Sequence, residues 1–208
     1  MNKIDYNQQM IKEISSLKSK PKLLLHSCCA PCSSSVLERL NEFFDITVFF
    51  YNPNIDNSEE YFKRQDEEIR LIEQLNKQNN GNNLIKIKTN PHLNEDYLSI
   101  VKGFENEKEG GARCDKCFNL RLSKTAEFAK LSGFEYFTTT LSVSPHKNAQ
   151  KLNEIGNLVA KQYNIKFLMA DFKKQDGYKR SIELSKKYNL YRQDYCGCKF
   201  SKKNNLED

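Results

Sequence analysis

The chain has 208 residues, with 33 lysines and arginines against 27 aspartates and glutamates, a formal net charge of +6 and seven cysteines. That length suffices for one α/β domain burying roughly 70% of its unfolded surface without disulfide staples. No apolar run approaches the ~18 residues of a membrane span, and the polar start MNKIDYNQQMIKEISSLKSK lacks the apolar middle of a signal peptide, so the expected location is the cytosol.

The predicted elements alternate between helix and strand. Residues 4–19 carry Met10, Ile14 and Leu17 at helical spacing, and Pro21 ends that segment. Residues 22–27 (KLLLHS) form a short apolar run that leads into CCAPC, after which residues 33–44 read as a helix. A second strand at 46–51 (ITVFFY) closes on Asn52-Pro53-Asn54. A long charged helix follows over 59–77, with Phe62, Ile69, Ile72 and Leu75 on one face. Strand 84–89, a short helix over 95–102 and the loop EKEGGAR precede a helix that starts near Cys114 and stops at Gly133. Strand 135–141, a helix over 149–163, strand 166–170 and a helix over 178–188 complete the pattern.

Strands separated by crossover helices predict a single α/β domain over 1–208, with a mostly parallel sheet and helices on both faces. Within it, 1–20 is an N-terminal helix and 202–208 a polar tail. In such sheets ligands bind beyond the carboxyl ends of the strands, where KLLLHS delivers its cysteines. With eight glycines and no G-x-G, the chain has neither a dinucleotide fingerprint nor a P-loop. ATP-pyrophosphatases of similar Rossmann-like (HUP-like) layout carry a glycine-rich phosphate loop at the first strand-to-helix turn. Here SCCAPCS takes its place.

The cysteines fall in three groups: Cys28, Cys29 and Cys32; Cys114 and Cys117; Cys196 and Cys198. Core filler would scatter, whereas every one of these lies within three residues of another. In a reducing compartment an odd, clustered set reads as metal ligands or catalytic thiols rather than bridges. Two groups have C-x-x-C spacing at a predicted helix start, where residues i and i+3 share a face and free N–H groups stabilise thiolate. Seven thiolates exceed the four that one zinc ion or one iron-sulfur cluster takes, and adjacent Cys28 and Cys29 diverge, so two adjoining centres are expected. Ligand softness favours zinc or iron-sulfur over magnesium or calcium. His26, His92 and His146 read as ordinary structural or surface histidines. A structural metal protein and a thiol-dependent sulfur-transfer or disulfide-reducing enzyme remain open; metal content with turnover tests the first, thiol alkylation of loaded protein the second.

Net charge alone is weak evidence for a polyanionic partner, since a solvated lysine-rich surface explains it as well. Arginine is scarcer, and Arg113, Arg121, Arg180 and Arg192 lie in or near the later cysteine motifs. Its rigid fork suits phosphate or carboxylate. Arg113, Arg121, Lys147, Arg180 and Tyr195 are therefore candidates for substrate binding. Tyr136, Phe137, Tyr178, Tyr191 and Tyr195 are candidates for stacking on a base.

Five ordered motifs resemble the QueH-type epoxyqueuosine reductases: LLLHSCCAPCS (23–33), FFYNPNI (49–55), GGARCDKCFNLRL (110–122), TTTLSVSPHKN (138–148) and LYRQDYCGCKFS (190–201). The resemblance covers nearly the whole chain except the N-terminal helix and the tail. It implies an oxidoreductase that deoxygenates epoxyqueuosine to queuosine at the wobble position of tRNA without cobalamin. It further implies a 4Fe-4S cluster beside a mononuclear iron, the cluster as electron source and the iron as Lewis acid. All seven cysteines are then metal-ligand candidates. Cys28, Cys29, Cys114, Cys117, Cys196 and Cys198 are the cofactor-binding set, and Cys28, Cys29, Cys32 and Cys198 the candidates for the catalytic centre; which cysteine serves which metal stays open. Some family members carry an acid where this chain has Cys32, which makes that ligand the variable one. Nothing here binds a nicotinamide, so an external donor such as ferredoxin or flavodoxin is expected to supply electrons.

Overall fold

The computed structural model describes residues 4–80 and 82–201. Its elements in order are α1 (Tyr6–Ser15), β1 (Lys22–Ser27), α2 (Ala30–Leu40), β2 (Asp45–Phe50), α3 (Ser58–Gln78), β3 (Lys86–Thr89), α4 (Asn94–Val101), α5 (Ala112–Leu131), β4 (Tyr136–Thr139), α6 (Ala149–Tyr163), β5 (Lys166–Phe167) and α7 (Gly177–Lys187). The predicted 202–208 tail lies outside the described residues. All neighbouring strands pair in parallel in the order β3-β2-β1-β4-β5. The expected single-domain α/β architecture with a Rossmann-like parallel sheet is what the chain forms.

Strand periodicity sorts the apolar residues onto two faces. Leu23, Leu25, Ile46 and Val48 pack with Met10 of α1, Val36, Leu37 and Leu40 of α2, and Ile72 of α3. On the other face Leu24, Phe49 and Phe137 meet Leu122, Ala126 and Ala129 of α5 and Val159 and Ala160 of α6. Leu24 is fully buried, so its truncation to alanine would cost about 2–5 kcal/mol. Asparagine and aspartate side chains start several helices. Asp5 accepts from the N–H groups of Asn7 and Gln8, Asn57 from Glu59 and Glu60, and Asn148 from Lys151.

Local departures from the expected boundaries have identifiable causes. α1 stops at Ser15, where the hydroxyls of Ser15 and Ser16 bond back to the carbonyls of Ile11 and Glu13. The helix expected from residue 33 begins at Ala30 with Pro31 in its first turn, which puts Cys32 inside the helix. β3 begins at Lys86 because the Asn76 amide holds both N–H and C=O of Ile85 at 2.8 Å. β5 is only Lys166–Phe167; Leu168 N–H still bonds to the Phe137 carbonyl, its own carbonyl accepts from the Thr138 hydroxyl, and Asn153 of α6 takes both backbone groups of Ala170. After Thr139 the chain tightens into a 3₁₀ turn at Thr140–Val143, with Thr139 Oγ1 accepting from the Leu141 N–H. The buried face of α3 is Tyr61, Arg64, Glu68, Leu71 and Ile72, whereas Phe62 is 47% exposed. The apolar stripe expected through Phe62 is rotated because buried polar side chains occupy part of the inner face.

The strand order reverses at the β1/β4 boundary: connections run outward to β2 and β3 on one side and to β5 on the other. A crevice forms beyond the carboxyl ends of the strands at such a switch point. β1 ends there, one residue before Cys28.

Candidate functional site

The first cysteine group caps the switch point. Cys29 occupies the N-cap position of α2 in extended conformation (φ −171°), and it is 1% exposed. Cys28 Sγ and Cys29 Sγ lie 3.8 Å apart. Hydrogen bonds from the Cys29 and Cys32 thiols hold Cys28 well below the ordinary thiol range, with Arg121 adding to the effect. The same hydrogen bond to Cys28 pushes Cys29 up to about 12, and Cys32 rises for the same reason. One thiolate is thus favoured in this group. Behind it, Ser27 Oγ stands 2.5 Å from Ser33 Oγ and donates to Glu68 Oε2 at 2.9 Å. Burial pushes Glu68 up to about 7, and among the described residues its Oε1 has no hydrogen-bond partner.

α5 contributes the second group. Cys114 and Cys117 sit in its first two turns, and Cys114 Sγ accepts from the Gly110 N–H at 3.2 Å. Cys117 is buried in one apolar cluster with Tyr97, Val101 and Cys198, and burial pushes its thiol up to about 11. Cys114 and Cys28 pack together against Phe118, Leu141 and Leu152. One turn beyond Cys117, Arg121 is 3% exposed. Burial opposes its charge, but the neighbouring sulfurs of Cys117 and Cys28, a hydrogen bond to Cys117 and the sulfur of Cys196 raise its pKa.

The third group is held by the β2–α3 region. Gly197 adopts φ +97°, and its carbonyl accepts from the Asp56 N–H at 3.0 Å. Asn54 Nδ2 donates to the Cys196 carbonyl at 3.2 Å and Arg64 Nη2 to the Tyr195 carbonyl at 3.3 Å. The Tyr97 hydroxyl lies 2.9 Å from Cys198 Sγ. A hydrogen bond from Cys198 holds Cys196 well below the usual thiol range, against burial and with help from Lys147 and Ser201.

These segments enclose a cavity of about 810 Å³ lined by Cys28, Cys29, Cys32 and Cys196 together with Arg121 and Lys147. Lys147 pairs with Glu109 at 3.1 Å; burial lowers its pKa, but Cys196, Glu109 and Cys114 outweigh that and raise it. Among the described residues no three cysteine, histidine, aspartate or glutamate side chains close on the position of a single metal ion. Cys114, Cys117 and Cys198 are not among the cavity's lining residues: Cys114 packs with Cys28 against Phe118, and Cys117 with Cys198 and Tyr97. A larger, more open groove of about 1030 Å³ lies at the opposite end of the strands, against α1 and the starts of β4 and β5, and no cysteine lines it.

The other predicted residues divide. Tyr195 and Tyr178 line the cavity, as do Arg192 and His146. Arg113 is 2% exposed, donates to the carbonyls of Phe104, Glu105 and Glu107, lies over the Phe200 ring and is not among the lining residues. Arg180 sits outside the cavity in a surface fork with Glu38 and Glu183. Tyr136 and Phe137 belong to the sheet core, and Tyr191 bonds Glu60 while Lys63 lies over its ring.

Four residues singled out only by the structure support the site. His26 is fully buried, and burial followed by Arg121 pushes it down to about 3, so it is neutral. Its Nδ1 lies 2.8 Å from Thr139 Oγ1. Arg121 Nε and the Tyr51 carbonyl each lie 3.2 Å from its Nε2; the charged donor prevails, which makes Nε2 the acceptor and Nδ1 the protonated nitrogen. Asn52, whose amide donates to the Ser27 carbonyl at 2.9 Å, accepts from Arg121 Nη2 at 2.5 Å. Arg64, bound to Glu60 at 2.6 Å, and Glu68 come from the inner face of α3. The available signal was spacing: Arg64, Glu68 and Leu71 at i, i+4 and i+7 put two charges on a buried stripe.

Residues 23–204 match a family model described as epoxyqueuosine reductase QueH. The chain is 43% identical to the epoxyqueuosine reductase QueH of Streptococcus pyogenes serotype M1, over 97% of this chain and 79% of that protein. It is 42% identical to the one from Staphylococcus aureus strain Mu50, over 96% and 84% of the two chains. With the protein of the same name from Thermotoga maritima it shares 36% identity over 86% of this chain and 89% of that one. On this likeness, which spans the fold and all three cysteine groups, the chain belongs to the epoxyqueuosine reductase QueH family.

Proposed function

We propose that this oxidoreductase reduces epoxyqueuosine to queuosine in tRNA through a thiolate-bound iron-sulfur centre, without cobalamin. Family membership supports the reaction. The observation that carries the metal reading is the juxtaposition of three separated cysteine groups at the sheet's switch point: Cys28, Cys29, Cys32 and Cys196 line one cavity, Cys114 packs in one cluster with Cys28, and Cys117 in another with Cys196 and Cys198. The donor set is almost wholly sulfur, which suits soft metals, and seven thiols exceed the four that one ion or one cluster takes. Cys28, Cys29, Cys114, Cys117, Cys196 and Cys198 would hold the cofactor, with Cys32 at the cavity wall as the variable seventh ligand.

Removing the epoxide oxygen consumes two electrons and two protons and releases water. When bound, the iron-sulfur centre supplies the electrons and an adjoining iron a Lewis acid for the departing oxygen. The protein's own side chains do the rest. A volume of about 810 Å³ accommodates a modified base splayed from a single-stranded loop, and Tyr178 and Tyr195 at the wall offer rings for it to stack on. Lys147 and Arg192 set positive charge beside that opening for the flanking phosphates. The electrons enter from an external carrier of the ferredoxin or flavodoxin class.

The test is analysis of anaerobically purified protein for iron and acid-labile sulfide, paired with turnover on epoxyqueuosine-containing tRNA before and after chelation. Iron beyond one 4Fe-4S cluster, with activity lost on stripping, is expected. A fully loaded preparation holding about one zinc and no sulfide would overturn the two-centre reading.

A further inference from the structure

Arg121 is a buried cation without a carboxylate. No ion pair found among the described residues includes it. Besides Cys117 it bonds two neutral groups, Asn52 Oδ1 and His26 Nε2, and each is anchored in turn: Asn52 to the Ser27 carbonyl at the end of β1, His26 to Thr139 at the end of β4. Helical register completes the arrangement. Cys114, Cys117 and Arg121 stand at i, i+3 and i+7 on one face of α5, so the guanidinium follows the thiols toward the switch point. Arg121 lines the cavity together with Cys28, Cys29, Cys32 and Cys196.

Burying a guanidinium without a carboxylate is costly, and a neutral platform of amide and imidazole returns only part of that cost. A carboxylate at Asn52 would have neutralised the cation inside the fold. The platform instead holds it in place while leaving its charge to act on the cavity. We propose that Arg121 is the built-in counter-cation of the thiolate-metal centre, positioned by Asn52 and His26 to stabilise the centre's reduced form and so raise its reduction potential. This rests on the metal-centre reading above. The physical basis is that adding an electron to a thiolate-bound cluster makes it more negative, and a fixed positive charge in a water-poor site favours that state. Arg121 is in this sense a positioning and charge-compensating residue, and its effect is distinct from gripping tRNA.

The experiment is a potentiometric titration of the metal centre in the anaerobic holoenzyme, followed by electron paramagnetic resonance, with no tRNA present. Arg121→Met is expected to shift the midpoint potential to more negative values, and Arg121→Lys, which keeps the charge and loses the fork, to shift it less. Because Arg121→Met removes buried hydrogen bonds and can fail to fold, Asn52→Asp is the second variant. It keeps the side-chain shape and the hydrogen bond from Arg121, gives up only the amide's bond to the Ser27 carbonyl, and cancels the guanidinium's charge, so it is expected to shift the potential the same way. A negative shift in either charge-cancelling variant, exceeding that of Arg121→Lys, supports the proposal. A folded, metal-replete Asn52→Asp or Arg121→Met protein with the wild-type potential overturns it, because a merely structural role leaves the potential unmoved. A wild-type protein that holds no redox-active metal refutes the metal-centre reading itself, an outcome distinguishable from failure of the Arg121 assignment.

Discussion

Gly197 is the position where a single methyl group tests how the third cysteine group is held. Its φ of +97° lies where an L side chain is strained, by about 1–2 kcal/mol. A Cβ there would also stand 2.7 Å from Ile55 Cγ1 and 3.3 Å from Arg64 Nη1. Both neighbours are buried, so they cannot swing into solvent, and overpacking of this kind costs about 1–3 kcal/mol. Together Gly197→Ala should cost about 2–5 kcal/mol. The hydrogen bonds from Asp56 N–H to the Gly197 carbonyl and from Asn54 to the Cys196 carbonyl are the first to stretch. Thermal unfolding at roughly 2–4 °C per kcal/mol should show a Tm lower by about 4–20 °C, or, if the strain is released locally, faster proteolysis within 190–201. Either way iron content should fall. Gly133→Ala is the control: its φ is +72° but a Cβ there meets nothing within 4 Å, so only the backbone strain remains. If Gly197→Ala matches wild type in Tm, proteolysis and iron content, the packing of Cys196-Gly197-Cys198 against α3 has been misread.

Glu68 predicts a pH dependence of stability in the metal-free protein. Its folded-state pKa is raised from 4.5 to about 7, so the folded state binds more protons than the unfolded state between those values. Glu68's contribution should therefore fall by about 3 kcal/mol as pH rises through that window and level off above it, while buried neutral His26 contributes in the opposite sense below its unfolded pKa. The Glu68 share is read as the difference between wild type and Glu68→Gln in denaturant titrations, with the variant gaining relative stability as pH rises from about 5 to about 8; a difference independent of pH would show that Glu68 does not titrate in that window. Among the cysteines, Cys114→Ala or Cys117→Ala should lose cluster or activity, since no neighbouring thiol on α5 replaces them, while Cys32→Ala should be the mildest of the seven. Iron analysis with turnover decides this, and wild-type turnover in Cys114→Ala would make the central motif dispensable. Binding of tRNA should weaken steeply with salt, because a net charge of +6 grips a polyanion only where cations gather, as Lys147 and Arg192 do at the cavity wall. Affinity that is flat between low and moderate salt would argue against a polynucleotide substrate.

Period and punctuation made most of the fold legible. KLLLHS is β1 and residues 149–163 are α6, both with the predicted bounds, because an apolar run between turn residues and a regular apolar stripe each have one good solution. The clustering of cysteines was equally legible, since groups at element ends converge when the strands are parallel. What local sequence did not disclose was the use of polar side chains at long range. Asn153 takes the backbone of Ala170, 17 residues on, and Asn76 that of Ile85, nine residues on, so that neither Ala170 nor Ile85 pairs as the expected strands would have it. Arg113 and Arg121 look alike in GGARCDKCFNLRL, yet one binds the carbonyls of a neighbouring turn and the other lies among the thiols. That difference depends on what faces each side of α5. The inner face of α3 misled for a related reason, as Arg64 and Glu68 are buried only because the cysteine loops supply partners.

The most direct test of the account is mass analysis of the modified nucleoside. Iron-loaded protein is incubated anaerobically with epoxyqueuosine-containing tRNA and a strong one-electron reductant, with no cobalamin, and the tRNA is digested to nucleosides. The account predicts that the modified nucleoside loses one oxygen, and that the change is absent when the metal is stripped. A metal-replete, reduced protein that binds this tRNA and leaves the epoxide intact would contradict it.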